Sequence, residues 1–170
     1  EGDLPGPTIA LRADMDALPV VEKTGLPFAS KDKTKYLGQT VGIMHACGHD
    51  AHVAILMGVA EFLAKNKQQL KGNVMLIFQP AEEVGKGALE VVENPKFTAL
   101  KPDYIFALHN VPGYEKHKIL LKNNSFASAS KGMTIKLTGK TSHAAEPQDG
   151  ISPADALADI IKKLHLIRDN

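Results

Sequence analysis

The chain has 170 residues, and 20 Lys and Arg against 19 Asp and Glu leave a formal net charge of +1. Hydrophobic residues make up 44% and charged residues 23%, which are ordinary values for a folded domain. These values exclude a disordered tail, a basic nucleic-acid-binding domain and an acidic solvating segment. No apolar run approaches the roughly 20 residues of a membrane-spanning helix. We therefore expect no nucleic-acid or membrane partner, and the single cysteine favours a reducing, cytoplasmic location.

Apolar segments of strand length alternate with helical segments along the first two thirds of the chain. In chain order we predict strand 8–12, loop 18–42, helix 45–66, strand 73–79, helix 85–93 and strand 103–109. The first helix is apolar on most faces, so we expect it to be buried on several sides. Continuous apolar strands are typical of parallel sheets covered on both faces. The alternation predicts an α/β sheet with right-handed crossovers.

The pattern changes after Pro112 and Gly113. Apolar runs at 118–122 and 133–137 predict strands, and Ser152-Pro153 opens a helix whose apolar residues recur at helical spacing as far as residue 167. We therefore predict a domain boundary near residue 115, with domains at 1–115 and 116–170.

A dense cluster of histidines and the single cysteine lies at residues 45–52. Cys47 and His49 can face one point if Gly48 lets the backbone turn sharply between them. Thiolate and imidazole are ligands that suit Zn²⁺ and neighbouring first-row ions. The alternative is an ordinary helix N-terminus in which Cys47 is a small buried apolar residue.

Two adjacent carboxylates, Glu82 and Glu83, follow the strand 73–79. The two negative charges repel each other unless a cation or a shared proton lies between the carboxylates. One carboxylate could bind a metal ion while the other serves as a general base toward water. The alternative is a solvent-facing helix start, where acidic residues complement the helix dipole.

Other polar residues also follow predicted strands. Asp14 and Asp16 come after the first strand, and His109 ends the third. In an open α/β sheet, ligand sites collect outside the carboxyl ends of the strands. Together with Cys47 and His49, these residues predict a metal site of mixed nitrogen, oxygen and sulfur ligands.

A further histidine, His143, lies in a loop with small neighbours in the second predicted domain. It can approach a ligand closely and supply a hydrogen bond to a developing oxyanion. The alternative is an ordinary loop residue.

Four short motifs of this sequence lie at residues 11–19, 44–52, 79–83 and 142–147. Their order along the chain is that of the family which they resemble. They resemble the metal-dependent aminoacylase/amidohydrolase peptidase family, which includes hippurate hydrolases, N-acetyl-diaminopimelate deacetylases and indole-acetyl-amino-acid hydrolases. The resemblance implies a zinc-peptidase-like α/β fold, a mostly parallel sheet with helices on both faces. It also implies the start of a ferredoxin-like α+β lid that forms a homodimer.

The resemblance also implies roles for individual residues. Two divalent ions (Mn, Zn, Co or Ni) would be bound by Cys47, His49, Glu83 and His109. Glu82 would be the general base that activates a bridging water.

Residues outside the metal-ligand set also receive roles from this resemblance. Asp16, with Asp14, would orient the ligands. His143 on the lid would reach the substrate carbonyl, in the active site of a partner subunit.

The implied reaction is hydrolysis of the amide bond of a small N-acyl amino acid. Two alternatives remain: a hydrolase with Cys47 as the nucleophile, and a non-catalytic metal-binding domain or inactive relative. Family members are longer and carry a last histidine ligand with no counterpart here. The chain is therefore expected to be a piece of a larger protein, one that by itself could be inactive.

Overall fold

The structure is a computed structural model that describes residues 1–129 and 132–168. The chain divides into two compact units, Glu1–Lys116 and His117–Asn170. The predicted division into a catalytic domain and a lid stays a prediction.

A parallel sheet forms the centre of the first unit. Its strands are β1 (Leu4–Asp14), β4 (Lys71–Gln79) and β5 (Tyr104–Ala107), in the order β4-β1-β5. The register pairs Asp14 with Gln79, so β1 and β4 end side by side. This alignment brings the segments that follow both strands to one edge of the sheet.

Helices connect the parallel strands. After β1, the chain passes through α1 (His49–Lys65) to β4, and then through α2 (Gly87–Glu93) and α3 (Pro95–Leu100) to β5. The helix α1 packs against β1 and β4, and α2 packs against β4. The predicted α/β class, a parallel sheet flanked by helices, is confirmed.

The segment expected to be an irregular loop contains a β-hairpin. Strands β2 (Lys33–Tyr36) and β3 (Gln39–Gly42) pair in antiparallel fashion. Leu37 and Gly38 connect them, both with positive φ angles of 49° and 80°. Two such residues make the tight turn whose twist matches a hairpin. Leucine rarely adopts this conformation, so the residue types gave no hairpin signal.

One predicted helix end is confirmed and one predicted strand end is wrong. The helix α2 ends at Glu93 as predicted, with Asn94 directly after it, and the Asn94 side chain also accepts a hydrogen bond from the Lys96 N–H (2.9 Å) and caps α3. Pro95 then occupies the first helical turn, where its missing N–H costs nothing. The strand β5 ends at Ala107, so His109 lies two residues beyond it.

The second unit contains the predicted helix, α4 (Ala154–Arg168). The Ser152 hydroxyl accepts a hydrogen bond from the Ala154 N–H (3.3 Å) near its start. The predicted strands at 118–122 and 133–137 are wrong, because neither segment is paired. Strands need a partner for their backbone groups, and the described part of this unit records only the bridge between Lys140 and Ile151. The ferredoxin-like lid stays a prediction.

Polar side chains occupy much of the interior. The buried hydrophobic residues of the described chain are Ala10, Ala13, Leu56 and Ile77, and the buried polar residues are Asp14, His49, His52 and Gln79. The largest fully buried side chains are His49 and Asp14. Buried polar groups need partners, so the centre of this unit is a hydrogen-bonded site rather than a purely apolar core.

The expectation that the first helix is buried on several sides is wrong for this chain. Met57 and Phe62 on α1 are 60% and 65% exposed, whereas Leu56 is buried. The reason is that α1 meets the sheet mainly through β1 and β4. Among the described helices, none is both long and apolar enough to cross a membrane.

Candidate metal centre

The candidate site lies at the carboxyl edge of the sheet. β1 ends at Asp14, and the residues that follow β4 and β5 include Glu82, Glu83 and His109. The first turn of α1 contributes His49. This is the edge at which open α/β sheets place their ligands.

His49 is fully buried, and its Nδ1 has two acceptors. Nδ1 lies 3.0 Å from the backbone oxygen of Asp16 and 3.2 Å from its Oδ1. A carbonyl oxygen and a carboxylate can only accept, so Nδ1 carries the proton and donates it. In the neutral imidazole, the other nitrogen, Nε2, then carries a lone pair.

The Nε2 atom of His49 is buried without a hydrogen-bond partner among the described residues. The nearest acidic atoms are Asp14 Oδ2 at 3.6 Å, Glu82 Oε2 at 3.8 Å and Glu83 Oε1 at 3.9 Å. These distances exceed hydrogen-bond length. A buried lone pair facing carboxylates at this spacing is the arrangement that a bound cation satisfies.

A glycine turn places the cysteine beside this lone pair. Gly48 has φ 86° and ψ 14° at the start of α1, a left-handed conformation that glycine adopts without strain. A Cβ at this position would overlap the side chain of Asn110. One ligand-type atom each from Cys47, His49 and Glu83 therefore lies within 4.8 Å of the others.

His109 presents its Nε2 to the same space. Its Nδ1 lies 2.8 Å from the backbone oxygen of Asn110 and must donate. Its Nε2 then holds a lone pair 3.6 Å from the Sγ of Cys47. Both proposed histidine ligands thus have the tautomer that metal binding through Nε2 requires.

The environment of Cys47 favours a metal ligand over a nucleophile. Burial raises the pKa of the thiol, and the hydrogen bond and charge of Glu83 raise it further. The charges of Glu82 and Asp14 act in the same direction. A nucleophilic cysteine needs a lowered pKa, whereas a divalent cation deprotonates a coordinating thiol outright.

The two glutamates are positioned by a strained turn and by Asp16. Ala81 has a positive φ of 53°, which is uncommon for a residue with a side chain and typical of functional sites. The N–H of Glu83 donates to Asp16 Oδ2 at 3.0 Å. Burial alone would raise the pKa of Asp16, but hydrogen bonds from backbone N–H groups, that of Glu83 foremost, lower it.

Asp14 is buried and held from both sides. Arg12 Nη1 donates to its Oδ2 at 2.8 Å, and His52 Nδ1 donates to its Oδ1 at 2.6 Å. Burial would raise the pKa of Asp14, but the hydrogen bond from His52 and the charge of Arg12 outweigh it and lower the pKa. Asp14 is therefore ionised in the folded chain.

The sequence reasoning missed His52 as a site residue. It lies three residues after His49 on α1 and is buried beside it. Residues three apart share a helix face, so the spacing was the available signal.

His143 belongs to the second unit, where its Nδ1 accepts a hydrogen bond from the Ala145 N–H (3.2 Å). The proposed role of His143 stays a prediction.

The residues present fit divalent metal ions. Two overlapping groups offer ligand atoms within 4.8 Å of one another: Cys47, His49 and Glu83 in one, and Asp14, His49, His52 and His109 in the other. Mixed sulfur, nitrogen and oxygen donors suit Zn²⁺ and its first-row neighbours. The two groups share His49, whose Nε2 is unsatisfied.

The family model for peptidase family M20/M25/M40 matches residues 10–165. The chain belongs to this family. The resemblance that the four motifs carry is therefore confirmed.

Similar proteins include deacetylases and a solved metallopeptidase. The chain is 44% identical over 98% of its length to the N-acetyl-L-cysteine deacetylase of Bacillus subtilis and covers 38% of that protein. It is 40% identical over 98% of its length to the N-acetyldiaminopimelate deacetylase of Pediococcus pentosaceus and covers 41% of it.

One similar solved structure is that of the YXEP protein of Bacillus subtilis, described as a dinuclear metal binding peptidase from the M20 family. It matches 66% of this chain with TM-score 0.57 and 46% identity, and the chain covers 29% of it. By comparison, the chain spans about two fifths of the length of the two deacetylases.

Proposed function

We propose that the chain carries the metal centre of a hydrolase that cleaves the amide bond of small N-acyl amino acids. The observation that carries this proposal is the buried, unpartnered Nε2 of His49, which faces Asp14, Glu82 and Glu83. A site built only for stability would pair this nitrogen. The names of two relatives, both deacetylases of N-acetylated amino acids, support the substrate class.

Cys47, His49, Glu83 and His109 would hold the ions in this proposal. The description of the YXEP protein as dinuclear supports two ions rather than one. Bound divalent ions supply Lewis acidity toward an acyl carbonyl and make water more acidic. Asp16 would orient His49 and Glu83, and Asp14 would hold negative charge beside His49 Nε2.

Glu82 is proposed as the general base. Its Oε2 lies 3.8 Å from His49 Nε2, and its side chain is 39% exposed. It therefore adjoins the ligands and remains open to solvent. In this role it takes a proton from the attacking water and delivers it to the leaving amine.

The second unit would contribute His143 as a hydrogen-bond donor to the developing oxyanion. We also propose that the full-length protein is a cytoplasmic homodimer formed through the lid. The exposed apolar residues Leu157, Ile161 and Leu164 of α4 support a further packing partner for this unit. The single cysteine supports a reducing compartment.

An inhibitor comparison on the full-length protein tests the proposed reaction. Release of amino acid from a panel of N-acyl amino acids is measured with a chelator and, separately, with a thiol-alkylating agent. We expect chelation to abolish turnover and added divalent ions to restore it. Turnover that survives chelation but not alkylation would support Cys47 as a nucleophile. A metal-loaded protein that hydrolyses no member of the panel would support a non-catalytic relative.

A further inference from the structure

We propose that His52 is a positioning residue that holds both histidine ligands, His49 and His109, in one arrangement. The inference rests on the proposed metal centre and adds a residue to it. His52 does not need to bind an ion itself, because neither ring nitrogen is free.

The ring of His52 is fixed at both nitrogens. It is 3% exposed, and its Nδ1 donates to the ionised Asp14 Oδ1 at 2.6 Å. Its Nε2 lies 2.8 Å from Asn110 Oδ1 and 3.1 Å from the Asn110 backbone N. His52 therefore links the end of β1 to the segment after β5.

One arm of this link leads to His49. Asp14 uses Oδ1 for His52 and directs Oδ2 toward His49 Nε2, 3.6 Å away. The position of that oxygen depends on the hydrogen bond at the other oxygen of the same carboxylate. Loss of the His52 donor would leave Arg12 as the remaining side-chain donor to Asp14 among those described.

The other arm leads to His109. Asn110 contacts His52 through its side chain and backbone N–H, while its backbone oxygen accepts the Nδ1 proton of His109 (2.8 Å). The rings of His52 and His109 also meet edge to face, with centroids 4.7 Å apart. Moving the His52 ring would therefore shift the Nε2 of His109.

The sequence of α1 shows that a polar residue is not needed here for packing. Leu56, one turn further along the same face, is also buried and is apolar. An apolar residue at position 52 would leave Asp14 Oδ1 without its donor, and a buried acceptor without a donor is destabilising. The imidazole is thus explained by its two polar neighbours.

Two substitutions separate the arms. His52→Asn keeps an amide near the position of Nδ1, and His52→Gln places one near Nε2. Asn110→Ala removes the side-chain contact from the other side without changing the buried ring. His45→Asn is the matched control, because His45 is exposed and lies outside the network.

The experiment is a cobalt titration of the full-length protein and of these variants made in it. It is followed by ligand-field absorption and by the thiolate-to-cobalt charge-transfer band of Cys47. We expect both His52 variants and Asn110→Ala to weaken cobalt binding by about tenfold to a hundredfold and to alter the ligand-field spectrum at saturation. His45→Asn should match the parent protein.

The possible outcomes distinguish a positioning role of His52 from a role as a metal ligand. The inference is overturned if the variants unfold at the same temperature as the parent and also show its cobalt affinity and its cobalt spectrum. Complete loss of one bound ion in folded His52 variants, with Asn110→Ala unaffected, would make His52 a ligand and also overturn it. If the full-length parent protein, fully folded, binds no cobalt, the proposed metal centre itself fails. If the His52 variants do not fold, Asn110→Ala alone decides.

Discussion

Asp16 holds His49 by the ring nitrogen that faces away from the candidate metal centre. His49 Nδ1 donates to the backbone oxygen of Asp16 at 3.0 Å and to its Oδ1 at 3.2 Å. The other carboxylate oxygen of Asp16 accepts the Glu83 N–H at 3.0 Å. One side chain therefore sets the tautomer of one proposed ligand and the backbone position of another.

Replacing Asp16 should weaken metal binding without removing a ligand. In Asp16→Ala, His49 keeps only the backbone acceptor, and the Glu83 N–H loses its partner. We expect the affinity for Co²⁺ to fall by about tenfold to a hundredfold, measured by competition with a chromophoric chelator. Asp32→Ala, at an exposed aspartate in the segment before β2, is the control. Equal affinities for the two variants would show that Asp16 does not orient the ligands.

Replacing Glu82 should separate binding from turnover. Glu82→Gln keeps the size of the side chain but cannot accept a proton. We expect two ions per full-length chain, as in the parent, and turnover lower by about 10²–10⁴-fold. The measurements are metal content after dialysis and the rate of amino acid release. Turnover close to that of the parent would exclude Glu82 as the base.

Metal uptake should strengthen as the pH rises. Burial and the neighbouring Glu83 raise the pKa of Cys47, so its thiol is protonated at neutral pH in the metal-free chain. A metal ion binds the thiolate, so binding releases this proton, and the apparent affinity increases with pH until the raised pKa is passed.

Calorimetry in buffers of different ionisation enthalpy measures the number of protons released. Cys47→Ser should bind more weakly, lose the thiolate-to-cobalt band and release about one proton fewer. An unchanged proton count and affinity would remove Cys47 from the ligand set.

The small apolar core should make Leu56 sensitive to truncation. Leu56 on α1 is 5% exposed, whereas the adjacent Met57 is 60% exposed. We expect Leu56→Ala to lower the free energy of unfolding by about 2–5 kcal/mol, measured by urea denaturation of the metal-free chain. Met57→Ala should change it by about 0.5 kcal/mol or less. Similar losses in both variants would contradict the assignment of Leu56 to the core.

The sequence predicted those strands and helices that are encoded by the apolar pattern of their own residues. The apolar runs before Asp14 and Gln79 predicted parallel strands, and the structure pairs these two residues in register. The hairpin around Leu37 and the capping of α3 by Asn94 were missed. At Leu37 a positive φ departs from the usual preference of leucine. Asn94 followed by Pro95 is an ordinary helix start, which was interpreted only as a helix stop.

The sequence by itself determined the chemical content of the site and its placement at one edge of a parallel sheet. Residue types and their positions after strands were sufficient for that, because parallel strands bring their carboxyl ends together. Only the tertiary structure decided which nitrogen of His49 is free and that His52 connects Asp14 to Asn110. Hydrogen-bond partners 33 to 58 residues apart in the chain are set by packing between elements, and no local pattern encodes such contacts.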